Sequence, residues 1–151
     1  MQKPFFLLPA PLSFGLVIGM AWLLDSLWPW PLANDLWSFY AGCGFIDVGA
    51  VLLLWSAWLM FWRKTTLSPY GKPQRLLQEG PFRFSRNPIY LAFLVIYIGI
   101  ALLWAQLWAW ILLPLAVLLL NFGVIRHEER LLLQYFGDEY VHYCKKVRRW
   151  F

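Results

Sequence analysis

Two adjacent carboxylates, Glu128 and Glu129, stand in the string Arg126-His127-Glu128-Glu129-Arg130 directly after a long apolar run. A second polar string, Gly80-Pro81-Phe82-Arg83-Phe84-Ser85-Arg86-Asn87-Pro88-Ile89-Tyr90, stands directly before another. Acids at the edge of an apolar layer are repelled by anionic lipid and gain nothing by snorkelling. At the end of a long helix they also oppose the dipole, unless the helix continues past them. Carboxylates kept there require a cationic or hydroxyl partner, and Arg83, Arg86, Arg126 and Arg130 are the cations at hand. A pocket that joins acids, guanidinium groups, helix N-terminal amides and aromatic rings suits a zwitterionic ligand with an aromatic part. Simpler uses exist for the other members. Arg83 and Arg86 can snorkel to lipid phosphates, and Asn87-Pro88 can be an N-cap and a first helical residue. Those uses leave the glutamates unexplained.

The elements that position these residues follow from composition. The chain of 151 residues is 61% hydrophobic and 14% charged, with 11 tryptophans, whereas a soluble domain is about a quarter charged. It reads as an all-α, multi-pass integral membrane protein, one membrane domain over 1–151 with no room for a separate soluble domain. Four spans are expected. The first is 5–24, loosened at its start by Pro9 and Pro11, and retained because no small-x-small cleavage site follows it. The second is Leu36–Trp62, which carries Asp47 near its middle. The third and fourth, 89–103 and 107–125, form a tight hairpin about Trp104-Ala105-Gln106. The hairpin returns Arg126–Glu129 to the depth of Arg86–Tyr90, so both strings face one pocket, roofed by the 63–87 loop and the tail. Residues 5–62 form an N-terminal two-span part; 63–151 hold the loop, the hairpin and the tail.

All 13 lysines and arginines fall at Lys3, within 63–86, or from Arg126 onward. With four spans these places share one side, which the positive-inside rule makes cytoplasmic, together with both termini and the pocket. The net charge of +5 then faces anionic lipid, and nucleic acid is not needed to explain it. Trp28, Trp30, Trp104 and Trp108 fit an interfacial belt on the other side. Cys43 and Cys144 read as packing residues, and no Cys/His cluster has metal-ligand spacing, so no metal is expected. Asp47 has two open readings, a packing role toward the bundle or a substrate or proton role. Beyond Ile125 the mixture of Leu, Tyr and charge predicts a cytoplasmic amphipathic helix on the membrane surface. Gly137 can end it, and Asp138 can N-cap a further turn or two bearing Tyr140, Tyr143, Cys144 and Val147.

The string "GPFRFSRNPIY", a helical hairpin, and then "HEERLLLQYFGDEYVHYCKKV" resemble the isoprenylcysteine carboxyl methyltransferase family and the related phospholipid methyltransferases. The resemblance covers 65–147 and makes 63–151 a methyltransferase core. It implies an enzyme that takes cytosolic S-adenosylmethionine and methylates a lipid-borne acceptor. It implies cofactor contacts at Gln74, Arg75, Leu76, Leu77, Phe82, Asn87, Pro88, Ile89, Tyr90 and Glu128, with Glu129 beside them. The catalytic candidates are Arg86, Tyr90 and Arg126. Asn87 stands where the eukaryotic branch has histidine. Val124 stands where that branch has the arginine directed at the prenylcysteine carboxylate, a place Arg126 could fill. The expected partners are membrane lipids and a lipophilic acceptor bearing a carboxylate, thiol or amine. Two other classes use the same spans: a non-enzymatic membrane scaffold, with the arginines as lipid anchors, and a small transporter coupled through Asp47.

Overall fold

Apolar runs separated by short turn signals fold into helices α1 (Ala10–Leu27), α2 (Leu36–Trp62), α3 (Pro88–Trp104), α4 (Leu107–Leu119), α5 (Arg126–Phe136) and α6 (Asp138–Lys146), with a 3-10 turn at Gly80–Arg83. This computed structural model describes residues 10–33, 35–64 and 75–150. Among them there is no strand, and one isolated bridge joins Pro31 to Gln106. The all-helical expectation therefore holds. α1, α2 and the continuous helix Leu107–Phe136 are long and apolar enough to cross a membrane; α3 is apolar and 17 residues long.

Local chemistry sets the helix ends. Asp35 caps α2 by accepting the Ser38 amide at 2.7 Å, a bond that holds its carboxyl below the ordinary value. Pro11 falls in the first turn of α1, where its missing amide costs little, and the helix runs on past Leu24 to Leu27. Ala105 adopts the left-handed conformation (φ 49°, ψ 44°) and closes α3. Beside it, the Leu32 amide donates to the Ala105 carbonyl at 2.6 Å and the Leu107 amide to that of Trp30 at 3.1 Å. Trp108 Nε1 donates to the Trp28 carbonyl at 2.7 Å. These bonds stitch the α1–α2 connection to the α3–α4 turn.

The turn between α3 and α4 is tight, but each arm packs mainly on another helix, α3 along α2 and α4 along α1. Small residues set the first of these contacts. A Cβ on Gly49 would lie 2.6 Å from Ile96 Cγ1 and 3.0 Å from the Ala92 carbonyl; one on Gly99 would lie 2.7 Å from the Gly42 carbonyl. The buried residues of α2 are Gly42, Gly49 and Ser56. Their seven-residue spacing gives one close-packed stripe along the helix. Asp47 is exposed on α2, so it does not pack into the bundle. The second contact is aromatic and aliphatic: Phe14 and Val17 of α1 share a core with Tyr97, Ala116, Leu120 and Ile125.

The helix expected to end at Ile125 instead widens into a π-helical segment, Leu120–Ile125, and continues as α5. One residue added per turn rotates everything downstream by about 100°. The register that aims Glu128 and Glu129 is set by this segment.

Gly137 separates α5 from α6 with φ 48° and ψ −122°, a backbone region that side chains other than glycine's hydrogen avoid. Asp138 is thus the first residue of α6 rather than its cap. A Cβ on Gly137 would meet nothing within 4 Å, so the penalty for replacing it is conformational alone. Gly137→Ala is expected to cost about 1–3 kcal/mol, read as a lowered thermal midpoint of the purified protein. α6 carries Asp138 and Glu139 in its first turn and Lys145 and Lys146 in its last, in the sense that complements the helix dipole. Its Tyr140, Tyr143 and Val147 are buried against Leu76, with Leu132 and Phe136 of α5 alongside.

Candidate active site

Where α3 begins and α5 begins, the two polar strings meet. Tyr90, in the first turn of α3, donates its hydroxyl to Glu128 Oε1 at 2.6 Å. This bond is at the short end of the range for O–H···O hydrogen bonds. It fixes the Glu128 carboxylate against α3 and gives that acid the hydroxyl partner its position required.

Glu129 is held by two guanidinium groups. Arg86 Nη1 lies 3.1 Å from Oε1. Arg149, three residues beyond α6, forks onto both carboxylate oxygens through Nε and Nη2, and its Nη1 donates to Asn121 Oδ1 at 2.9 Å. Arg86 also donates to Cys144 Sγ at 2.7 Å and to the Tyr140 hydroxyl at 3.4 Å. Burial works against its charge, but Glu129, helped by Tyr140 and Cys144, holds the guanidinium above its ordinary value. Burial pushes the Tyr140 and Tyr143 phenols up, so both remain neutral donors at physiological pH. Tyr143 uses its hydroxyl on the Phe82 carbonyl at 2.6 Å, which docks α6 onto the 3-10 turn.

Asn87 occupies the N-cap position of α3, and Pro88 is the first helical residue, as expected. Its side chain does not cap, however. Asn87 Nδ2 donates to the Arg149 carbonyl at 3.1 Å, because segment 147–150 runs directly over the loop and offers that acceptor. Pro88 has no amide, so among the described residues it is the Ile89 and Tyr90 amides at the start of α3 that lack a side-chain cap. Arg86 Nε is likewise buried without a hydrogen-bond partner among the described residues. Leu76 and Leu77 are buried and Phe82 half-buried. A surface depression lined by Arg75, Leu76, Gln78, Glu79, Phe136 and Glu139 lies between the loop and the α5–α6 junction, apart from Arg86, Tyr90, Glu128 and Glu129.

The structure thus brings Arg86, Asn87, Tyr90, Glu128 and Glu129 together in two bonded groups, Tyr90 with Glu128, and Arg86 and Asn87 with Glu129 and Arg149. Pro88 is buried and Ile89 half-buried at the start of α3, and Arg75 and Leu76 line the separate depression. Arg126 is not brought in: its guanidinium lies 4.1 Å from the centre of the Phe122 ring, where an exposed aromatic one turn back offers a cation–π contact. Gln74 lies outside the described residues. Val124 is buried within the π-helical segment. Among the described residues no group of His, Cys, Asp and Glu could hold a metal ion.

The family model for phospholipid methyltransferases matches residues 37–139. The chain belongs to that family. As a phospholipid methyltransferase family member with long apolar helices, it is a membrane methyltransferase. The matched region runs from the start of α2 into α6 and contains every candidate residue. An uncharacterised protein of Haemophilus influenzae (strain ATCC 51907 / DSM 11121 / KW20 / Rd) is 39% identical over 62 residues, which is 41% of this chain and 98% of that protein. No solved structure matches the chain.

Arg149, Asn121, Ser85 and Tyr143 were not nominated from sequence. Asn121 carried a weak signal, as an amide at the end of an apolar run. Arg149 carried none, because its partners are 20 and 28 residues away and no spacing rule connects them.

Proposed function

We propose that the protein transfers a methyl group from S-adenosylmethionine to a lipophilic or amphipathic acceptor bearing a carboxylate, thiol or amine, at the cytoplasmic face of a membrane that it crosses four times. The observation that carries this reading is the convergence of the Tyr90–Glu128 bond and the Arg86–Glu129 pair at the open N-terminus of α3. The residues present fit a zwitterionic nucleoside. Glu128 can accept from an ammonium group or ribose hydroxyls. The first α3 amides and the unsatisfied Arg86 Nε can donate to a carboxylate. Leu76, Leu77 and Phe82 offer apolar surface for an adenine ring.

The bound sulfonium supplies an electrophilic methyl that needs little acid–base help. The protein's part is therefore alignment and exclusion of water around the nucleophile. S-adenosylmethionine would be held by Glu128, Arg86 and the start of α3, and would supply the methyl group to the acceptor's lone pair with S-adenosylhomocysteine as the leaving group. The clustering of every lysine and arginine on one side of a four-span arrangement supports the cytoplasmic placement.

Isothermal titration of the detergent-purified protein with S-adenosylhomocysteine tests the reading. Saturable one-site binding is the expected result, and a folded sample that binds none overturns it.

A further inference from the structure

Segment 147–150 is tied to the candidate site through each residue it offers. Val147 is buried against Leu76. The Arg148 carbonyl accepts the Arg86 amide at 3.0 Å. The Arg149 carbonyl accepts Ser85 Oγ at 3.2 Å and Asn87 Nδ2 at 3.1 Å. Trp150 packs on the core formed by Phe14, Tyr97 and Leu120, beside Tyr90 and Phe93. Arg149 is the centre of this strap, because its carbonyl holds the loop before α3 while its side chain holds Glu129 of α5 and Asn121 of the π-helical segment.

We propose that Arg149 is a positioning residue for the cofactor site, and that the strap it anchors fixes the 85–87 loop and α5 at the separation the site requires. The functional part of this inference rests on the cofactor reading above. A guanidinium fork matches both oxygens of a carboxylate and still reaches a third acceptor, whereas an ammonium is a single point charge. With Glu129 gripped by Arg149 and Arg86, α5 cannot roll about its axis. Glu128, its sequence neighbour, therefore stays aimed at Tyr90. Three of the five guanidinium donors are spent on Glu129 and Asn121, so Arg149 acts through other side chains.

The test compares Arg149→Ala, Arg149→Lys and Arg148→Ala in the full chain. The Arg148 residue is exposed and takes part through its carbonyl, so its replacement is the control. Hydrogen exchange over residues 85–90, S-adenosylhomocysteine affinity by calorimetry and thermal midpoint are measured on each. For Arg149→Ala, exchange over 85–90 should speed up and affinity should fall, each by about tenfold, the loss of a hydrogen bond to a charged group. The thermal midpoint should stay within a few degrees, since the spans are untouched. Arg149→Lys should recover only part of the affinity, and Arg148→Ala should match the wild type. Unchanged exchange in Arg149→Ala, full recovery by Arg149→Lys, or equal losses in Arg148→Ala would each overturn the proposal. A wild type that binds no S-adenosylhomocysteine overturns the proposed function, and exchange over 85–90 then decides the strap by itself.

Discussion

Glu128→Gln is expected to weaken S-adenosylhomocysteine binding by about thirtyfold or more while the protein stays folded. The glutamine keeps the shape of the side chain and can still accept from the Tyr90 hydroxyl, which lies 2.6 Å from Glu128 Oε1. It lacks the negative charge. A hydrogen bond to a charged group is worth about 1.5–3 kcal/mol, and a desolvated ligand ammonium left without its counter-charge adds to that loss, so a factor near thirty is the lower end. Tyr90→Phe is the companion variant, because it leaves the carboxylate in place without the phenol that aims it. Its loss should be smaller, and the two losses should combine non-additively, since the phenol acts on the ligand only through the residue-128 side chain that it aims. Calorimetry on the four proteins checks this. Wild-type affinity in Glu128→Gln would remove Glu128 from the site.

The second large effect concerns stability. Gly49→Leu is expected to prevent α2 and α3 from closing on each other, because even a Cβ at this position would sit 2.6 Å from Ile96 Cγ1 and 3.0 Å from a backbone carbonyl. Overpacking by one or two carbons costs about 1–3 kcal/mol, and a leucine with a backbone atom in its way exceeds that range. Gly44→Ala on the same helix is the contrast. Its Cβ would meet nothing within 4 Å, so it should be neutral or should stabilise α2 by the ordinary glycine-to-alanine increment of about 1 kcal/mol. Thermal unfolding of the two variants in one detergent measures both. Equal midpoints would mean that the α2–α3 approach does not hold the fold.

Much of this organisation was legible in the residues. α2 has the bounds expected of it because Asp35 and Arg63 punctuate an otherwise apolar run. The turn at Ala105-Gln106 falls where an apolar stretch too long for one span meets the amide near its middle. The meeting of Tyr90 with Glu128 followed from the hairpin and from the energetic oddity of acids at that depth. Features that depend on phase were not legible. Nothing in Leu-Asn-Phe-Gly-Val-Ile announces a π-helical segment, yet that segment sets the register of the helix beyond it, on which the placement of Arg126 over Phe122 depends. The non-capping Asn87 side chain was hidden for a related reason. Its preferred acceptor comes from residue 149, and local rules for caps cannot see a competitor 62 positions away. Gly42 and Gly49 stand seven residues apart in α2, but the meaning of that spacing requires knowing that α3, and not another helix, lies against them.

The grip of Arg149 on Asn121, Glu129 and the 85–87 loop also sets an order of events during synthesis. Every helix of the bundle precedes residue 149 in the chain, so the spans can insert and pair before Arg149 reaches Glu129 and Asn121. The newly made chain therefore passes through an interval in which its helices are in place and the Arg149 contacts are not yet made. Closing contacts between residues so far apart in sequence form late and slowly. Insertion of the helices and closure of the segment over them are thus two separate moments.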